Sequence, residues 1–198
     1  MNKFEYRVNL VDAYLNKLNL SNEITEYYKG RNILVTGGAG AIGSNLVTVL
    51  SKLVGDSGMI IVLDNLSAIK GDEPIDLPPL SNLMFVNGDV RNDIDLKRVF
   101  REKPTIVYHL AAFFANQNSV DYPETSADVD IHGMIKLLDL AQFTGVDKFV
   151  YASSGCAIYG SYGEMPLKED FISLHLTTPY QVNKMAGEMY SNFYFHHY

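Results

Sequence analysis

The sequence predicts an α/β fold, a doubly wound parallel sheet with helices on both faces. Three observations point there. Short apolar runs rich in β-branched residues alternate with longer amphipathic stretches. Within each run successive residues are apolar, as in strands buried on both faces. A glycine-rich turn joins the first run to the first amphipathic stretch, the position at which open parallel sheets receive their ligands.

Residues 1–29 precede this alternation. Val8, Val11, Leu15 and Leu18 fall near helical spacing with polar residues between them, so one or two amphipathic helices are expected. This N-terminal helical extension carries no visible chemistry and reads as a packing or oligomer-contact segment. From residue 30 to 198 the pattern is that of one α/β domain. Its strands are expected at "NILVT" (32–36), "MIIVL" (59–63), "LMFV" (83–86), "IVYHL" (106–110) and "KFVYAS" (148–153). Helices are expected near 41–54, 93–102 and 126–145, and from Pro179 onward. Two long connections, 65–82 and 155–179, leave the C-terminal ends of the second and fifth strands, where loops of such length are commonly functional.

Composition narrows the class. The chain has 198 residues, 47% apolar and 20% charged, enough for one domain with a sizeable core. A net charge of −7 argues against a nucleic-acid partner, because phosphate binding requires clustered Lys and Arg. Cys156 is the single cysteine, so no disulfide framework or cysteine metal cluster is expected, and a reducing, cytoplasmic compartment fits. No apolar run has the length of a membrane span, and the N-terminus lacks a signal-peptide core. His196 and His197 have no metal-like partners in the sequence, and no metal is expected.

"VTGGAGAIGS" (35–44) carries the first chemical signal. Gly38, Gly40 and Gly43 satisfy G-x-G-x-x-G, and Gly37, Gly40 and Gly43 satisfy G-x-x-G-x-x-G. Glycines there permit a tight turn, approach of a pyrophosphate to the backbone, and close helix–strand packing. The diphosphate would rest on the following helix N-terminus, where unpaired N–H groups and the macrodipole favour an anion. Asp64 ends the second strand about 20 residues beyond the last glycine, the offset at which a carboxylate accepts the ribose hydroxyls of NAD. The same charge repels the extra phosphate of NADP, so NAD is the expected cofactor.

With these residues in place, the sequence resembles an extended short-chain dehydrogenase/reductase of the NAD-dependent epimerase/dehydratase family, with a Rossmann-like fold. The resemblance runs from about Asn32 to the last residue and rests on five motifs in family order. "TGGAGAIGS" is similar to the opening motif, with Ala41 where an aromatic residue is usual. "GDVRN" (88–92) resembles the segment whose Asp holds the adenine amino group, implying that role for Asp89 with Val90 beside the ring. "HLAA" (109–112) resembles the motif lining the cofactor, and "YASSGCAIYG" (151–160) the active-site motif after the fifth strand. "PYQVNK" (179–184) resembles the Tyr-x-x-x-Lys helix. The implied cofactor shell is Gly37, Gly40, Ala41, Ile42, Gly43, Asp64, Asn65, Asp89, Val90, Leu110, Ala111, Ala112, Tyr180 and Lys184.

Tyr180 and Lys184 are four residues apart, which puts both on one helix face. A free phenol, with a pKa near ~10, is a poor base at neutral pH, and an adjacent ammonium favours its phenolate. Tyr180 would take a proton from a sugar hydroxyl, and Lys184 would also hold the nicotinamide ribose. The third catalytic position is open between Ser153, Ser154 and Cys156. Counting back from Tyr159 and Gly160 puts Gly155 at the family's Ser/Thr position, and one extra residue brings Ser154 into place, so Ser154 is the candidate. Cys156 is read as packing before acid/base chemistry, and His109 as a satisfied core histidine.

The resemblance implies a nucleotide-sugar substrate. "SGCA" lacks the acidic pair of the family's dehydratases, so an epimerase working by transient oxidation and re-reduction leads. A dehydrogenase, reductase or decarboxylase of a nucleotide sugar is the enzymatic alternative. A non-catalytic dinucleotide-binding or scaffold protein is the alternative from another class. Family members resemble longer chains with a C-terminal substrate domain, absent here, so this chain is expected to be the N-terminal portion of a protein that is a homodimer when complete.

Overall fold

The computed structural model describes residues 2–69, 75–113, 116–155, 160, 165–168 and 171–198. Its strands are β1 (Asn32–Thr36), β2 (Met59–Asp64), β3 (Leu83–Asn87), β4 (Ile106–His109) and β5 (Lys148–Tyr151). They form one parallel sheet in the order β3-β2-β1-β4-β5. Register is continuous: Leu34 lies between Ile61 of β2 and Val107 of β4, and Tyr108 pairs with Val150 of β5. Strands run one residue longer or a few shorter than their apolar patterns suggested. β5 stops at Tyr151, although the Ala152 amide still donates to the His109 carbonyl of β4 at 3.1 Å.

The period of two sorts these residues onto two faces. Ile33, Val35, Ile60 and Val62 share a core with Val47, Leu50 and Val54 of α3 (Ala41–Val54). Leu34, Ile61, Leu63 and Val107 form the opposite core with Leu96 and Val99 of α4 (Asp93–Phe100) and Leu137 and Ala141 of a later helix (Gly133–Thr144). Each such side chain taken fully out of water contributes about 1.5–3 kcal/mol. Here the doubly wound expectation holds.

The N-terminal segment is a pair of helices, α1 (Lys3–Leu18) and α2 (Asn22–Tyr28), both packed against α3. Asn2 caps α1 through the amides of Phe4 and Glu5 while Glu5 bonds back to the Asn2 amide. Asn19 ends α1 in the left-handed region with φ 46°, a conformation asparagine tolerates. Arg7 donates to the Asp76 carbonyl at 2.8 Å and Lys3 pairs with its carboxylate at 2.9 Å, tying α1 to the connection after β2. The Tyr28 and Tyr108 hydroxyls meet at 2.8 Å, joining α2 to the sheet.

The span 126–145 is not one continuous helix. Pro123 starts a short helix, with α5 (Asn116–Asp121) before it and α6 (Pro123–Ala127) continuing into a π-helical turn (Asp128–His132) and α7 (Gly133–Thr144). α5 has no apolar stripe to betray it; among its side chains only Ser119 is buried. Gly133 follows the π turn, and a Cβ there would meet Val90 Cγ2 at 2.7 Å, so the glycine lets α7 close on the loop after β3.

α8 (Pro179–His197) packs on β5, on α5 to α7 and on the π turn. Thr178 is its N-cap and Pro179 its first residue, a position where the missing N–H is no loss. Gln181 Oε1 accepts from the Thr177 amide at 2.7 Å and the Thr178 amide at 3.3 Å. Further along, Met189, Phe193 and Phe195 are exposed. Gln181 is itself buried, so Gln181→Ala strands both amides. It should lower stability by about 1–3 kcal/mol, read as a reduced urea midpoint at unchanged slope.

Candidate active site

All five strand ends deliver chemistry to one edge of the sheet. β1 runs into the turn at Gly37–Gly40, whose tightness depends on missing side chains. Gly37 has φ 70°, and a Cβ on it would lie 2.6 Å from the Ala111 amide nitrogen. A Cβ on Gly43 would meet Gly38 Cα at 2.6 Å, so α3 can approach β1 only with glycine there. Gly40 differs, because a Cβ there would touch only the Gly37 carbonyl, at 3.4 Å. It leaves open space beside the start of α3.

That start carries no side-chain cap and no acidic residue in its first turn. Its first amides are therefore available to an anion, with the helix dipole behind them. Ala41 and Ile42 are exposed over this cradle, Ile42 to 74%. An open glycine, an uncapped helix of 14 residues and a neighbouring carboxylate suit a dinucleotide diphosphate and its ribose.

The carboxylate is Asp64. Its Oδ2 accepts from the Ala39 amide at 2.9 Å and its Oδ1 from the Leu66 amide at 2.8 Å. A carboxylate offers about four acceptor positions, so two remain for ligand hydroxyls. Asp89 stands differently. Its Oδ1 accepts from the Arg91 amide at 2.9 Å and Arg91 Nε at 3.0 Å, and its Oδ2 from Arg91 Nη2 at 2.8 Å and Asn65 Nδ2 at 2.9 Å. All four positions are taken. The Arg91 guanidinium holds this carboxyl down at about 2, against the upward push of burial. Arg91 was not singled out from the sequence; a base two residues after an acid in "GDVRN" was the available signal. Val90 is buried in the core on this side.

β4 supplies Leu110, Ala111 and Ala112, all half-buried. The Leu110 amide donates to the Thr36 carbonyl at 3.0 Å and the Ala111 amide to Thr36 Oγ1 at 3.3 Å. Thr36 Oγ1 lies 2.7 Å from His109 Nδ1. The Thr36 hydroxyl accepts from the Ala111 amide and is hydrogen-bonded to His109 Nδ1, which holds the imidazole in place at the end of β4. Burial, then the charge of Lys184, lowers the histidine to about 3, so it stays neutral in the physiological range.

β5 and α8 bring the remaining candidates. Lys184 is buried, donates to the Ala152 carbonyl at 2.9 Å, and lies 4.8 Å from the Tyr151 ring centre and 5.8 Å from that of Tyr180. The ammonium thus faces the tyrosine one turn before it. Burial lowers its pKa, opposed by the charge of Asp130. The Tyr180 amide donates to Ser119 Oγ at 3.0 Å, anchoring the first turn of α8 on α5. Ser154 is half-buried beyond the end of β5 and Ser153 is exposed; Cys156 lies outside the described residues. Among the described residues no group of His, Cys, Asp and Glu could hold a metal ion, and no helix is long and apolar enough to cross a membrane.

A polar cluster unforeseen from the sequence underlies this end of α8. Asp130 Oδ1 accepts from the Phe113 amide at 2.7 Å and its Oδ2 from Ser126 Oγ at 3.1 Å. Asn183 Nδ2 donates to Ser126 Oγ at 2.9 Å. The available signal was an acid on the apolar stripe of the segment, between Val129 and Gly133.

The model of the NAD dependent epimerase/dehydratase family matches residues 33–198. The UDP-glucose 4-epimerase of Mycolicibacterium smegmatis is 37% identical over 162 residues, covering 81% of this chain and 50% of that protein. The chain spans about half the length of the curated relatives it matches. Among solved structures, an epimerase of Methanothermobacter thermautotrophicus superposes with a TM-score of 0.82 at 47% identity, covering 89% of this chain and 51% of that one. The Thermus thermophilus UDP-glucose 4-epimerase in complex with NAD gives a TM-score of 0.68 at 36% identity, covering 82% and 50%.

The Asp89–Arg91 clamp has a pH signature. A carboxyl at about 2 in the folded state and about 3.9 unfolded adds stability that is complete above about pH 4 and lost as pH falls toward 2. Urea midpoints of the parent and Asp89→Asn should therefore differ at pH 7 and draw together as pH falls, converging only below about pH 2.

Proposed function

The chain belongs to the NAD dependent epimerase/dehydratase family, and from that premise we propose that it carries the cofactor-binding and proton-transfer part of an NAD-dependent nucleotide-sugar epimerase. The observation that carries the reading is Lys184, a buried ammonium facing Tyr180 on the sheet edge that also bears the open glycine turn. The epimerases among its relatives support the same reading.

In this proposal residues 30–198 form the dinucleotide-binding domain and residues 1–29 an accessory helical layer. The diphosphate rests on Gly37, Gly40, Ala41, Ile42 and Gly43, the adenosine ribose on Asp64, and the adenine beside Val90. Asn65 is the exposed partner of Asp89, so it is the group that yields when a base approaches that carboxylate. Leu110, Ala111 and Ala112 line the nicotinamide end. NAD supplies the reversible two-electron acceptor for the sugar carbon. Tyr180 removes the hydroxyl proton as that carbon is oxidised and returns it on re-reduction. Lys184 spends one donor on Ala152, leaving two for ribose hydroxyls, and its charge stabilises the phenolate. Ser154 hydrogen-bonds the reacting oxygen.

No acid among these residues is placed to expel water from the sugar, which separates the proposal from a dehydratase. The complete protein is read as a cytoplasmic homodimer, with the exposed apolar side of α8 as contact surface.

Epimerisation of UDP-glucose by the full-length protein, followed by NMR, tests the reading; stoichiometric NADH release without epimer would make it a dehydrogenase instead. Tyr180→Phe should lower kcat by about three orders of magnitude or more with NAD affinity nearly unchanged. Calorimetric titration should show a clear preference for NAD over NADP, and Asp64→Arg should move that preference toward NADP.

A further inference from the structure

Among the described residues one ammonium and one carboxylate are buried, Lys184 at 3% exposure and Asp130 at 2%. They come from different elements and are not in direct contact. Lys184 spends one hydrogen bond on a carbonyl and otherwise faces two aromatic rings. A charge so placed is costly unless an opposite charge compensates it.

Asp130 is held where such compensation would come from. The π turn carries it under α8, and its two oxygens are fixed from three sides. The Phe113 amide lies just beyond the Ala111–Ala112 segment, Ser126 lies one turn back, and the Asn183 amide precedes Lys184 in the chain. The same carboxylate thus joins the loop after β4 to the turn of α8 that bears Lys184. The other titratable groups around the ammonium are poor candidates for the balancing charge. His109 on β4 is neutral. Burial, and then the charge of Asp130, holds the Tyr151 phenol on β5 protonated. Tyr180 is the proposed proton acceptor, and Glu188, one turn further along the same face of α8, is exposed to water, which screens its charge.

We propose that Asp130 is the counter-charge of Lys184, a positioning residue that keeps the lysine ionised in a dry site and so available to Tyr180. Asp130 never touches the sugar in this arrangement; it acts through Lys184. Coulomb attraction between buried charges is little screened and acts beyond hydrogen-bond distance, so contact is not required. The pair's effect on each other is mutual: the lysine's charge opposes the burial that raises the Asp130 carboxyl, and the aspartate's charge opposes the burial that lowers Lys184.

The test is a double-mutant cycle in the full-length protein, read by thermal melting at pH 8. Asp130→Asn keeps the shape and removes the charge, and Lys184→Met removes its partner. Asp130→Asn should lower the melting temperature of the parent and leave unchanged or raise that of Lys184→Met, since an orphaned buried charge is then removed. Equal losses in both backgrounds would overturn the proposal and leave Asp130 a hydrogen-bonding strut. If Asp130→Asn alone does not fold, recovery of folding in the double variant supports the pairing, and failure of the double variant overturns it.

A second measurement rests on the epimerase reading. The basic limb of the kcat profile should move down by about one pH unit in Asp130→Asn and stay in place in Ser126→Ala, which loosens the same cluster without changing charge. A limb unmoved in both variants overturns the proposal. An inactive parent would instead sink the epimerase reading while leaving the melting cycle to decide the charge pairing.

Discussion

The arrangement depends on three chain segments meeting at Gly37 with no side chains between them. β1, the loop after β4 and the start of α3 approach there to distances a Cβ could not occupy. Ala111 can then donate to Thr36, the Thr36 hydroxyl can meet His109, and the strand ends acquire a fixed relation. The left-handed turn at Gly37 also brings the Ala39 amide onto Asp64. One steric permission thus fixes both the anion cradle and the orientation of the carboxylate beside it.

The other end of the site is governed by electrostatics. α8 places Lys184 where water is scarce, and its stability there rests on a carbonyl, two rings and a distant carboxylate. The cost of that burial is tolerated because the same dryness magnifies the lysine's influence on a neighbouring phenol. In the proposed chemistry, activation of Tyr180 and instability of Lys184 have one origin, so the elements clamping α8 would matter to it as much as the reacting groups. Gln181 and Asn183 of α8 and Ser119 of α5 serve that clamp at its first turns.

Much of this was legible in the sequence because it depends on local pattern. β1 and α3 could be read to the residue, since a β-branched run, three glycines and an amphipathic stretch each impose a different geometry. Tyr180 and Lys184 stood out because "PYQVNK" closes a series of five motifs that resemble one family in order; their spacing alone would not have singled them out. Asp130 did not, because its role arises from a π turn and from partners 17 and 53 residues away. Nor could the saturation of Asp89 be foreseen, for it needs the direction of the Arg91 side chain and the reach of Asn65 across strands. α5 was missed because polar residues held by a few side-chain bonds leave no periodic trace.

The helices before β1 carry a consequence for anyone redrawing this domain. α3 has one wide apolar sector, in which half-buried Leu46, Val49 and Leu53 extend the face of Val47, Leu50 and Val54, while Ser44, Thr48 and Ser51 are also buried. A surface so largely taken out of water needs cover beyond the sheet, and α1 and α2 lie on it. On this face the cradle is therefore backed by α3 and then by a further helical layer. A shortened version starting at β1 would present an oily helix to solvent directly behind the ligand cradle, and its designer would have to rewrite α3's outer surface before the first glycine could do its work.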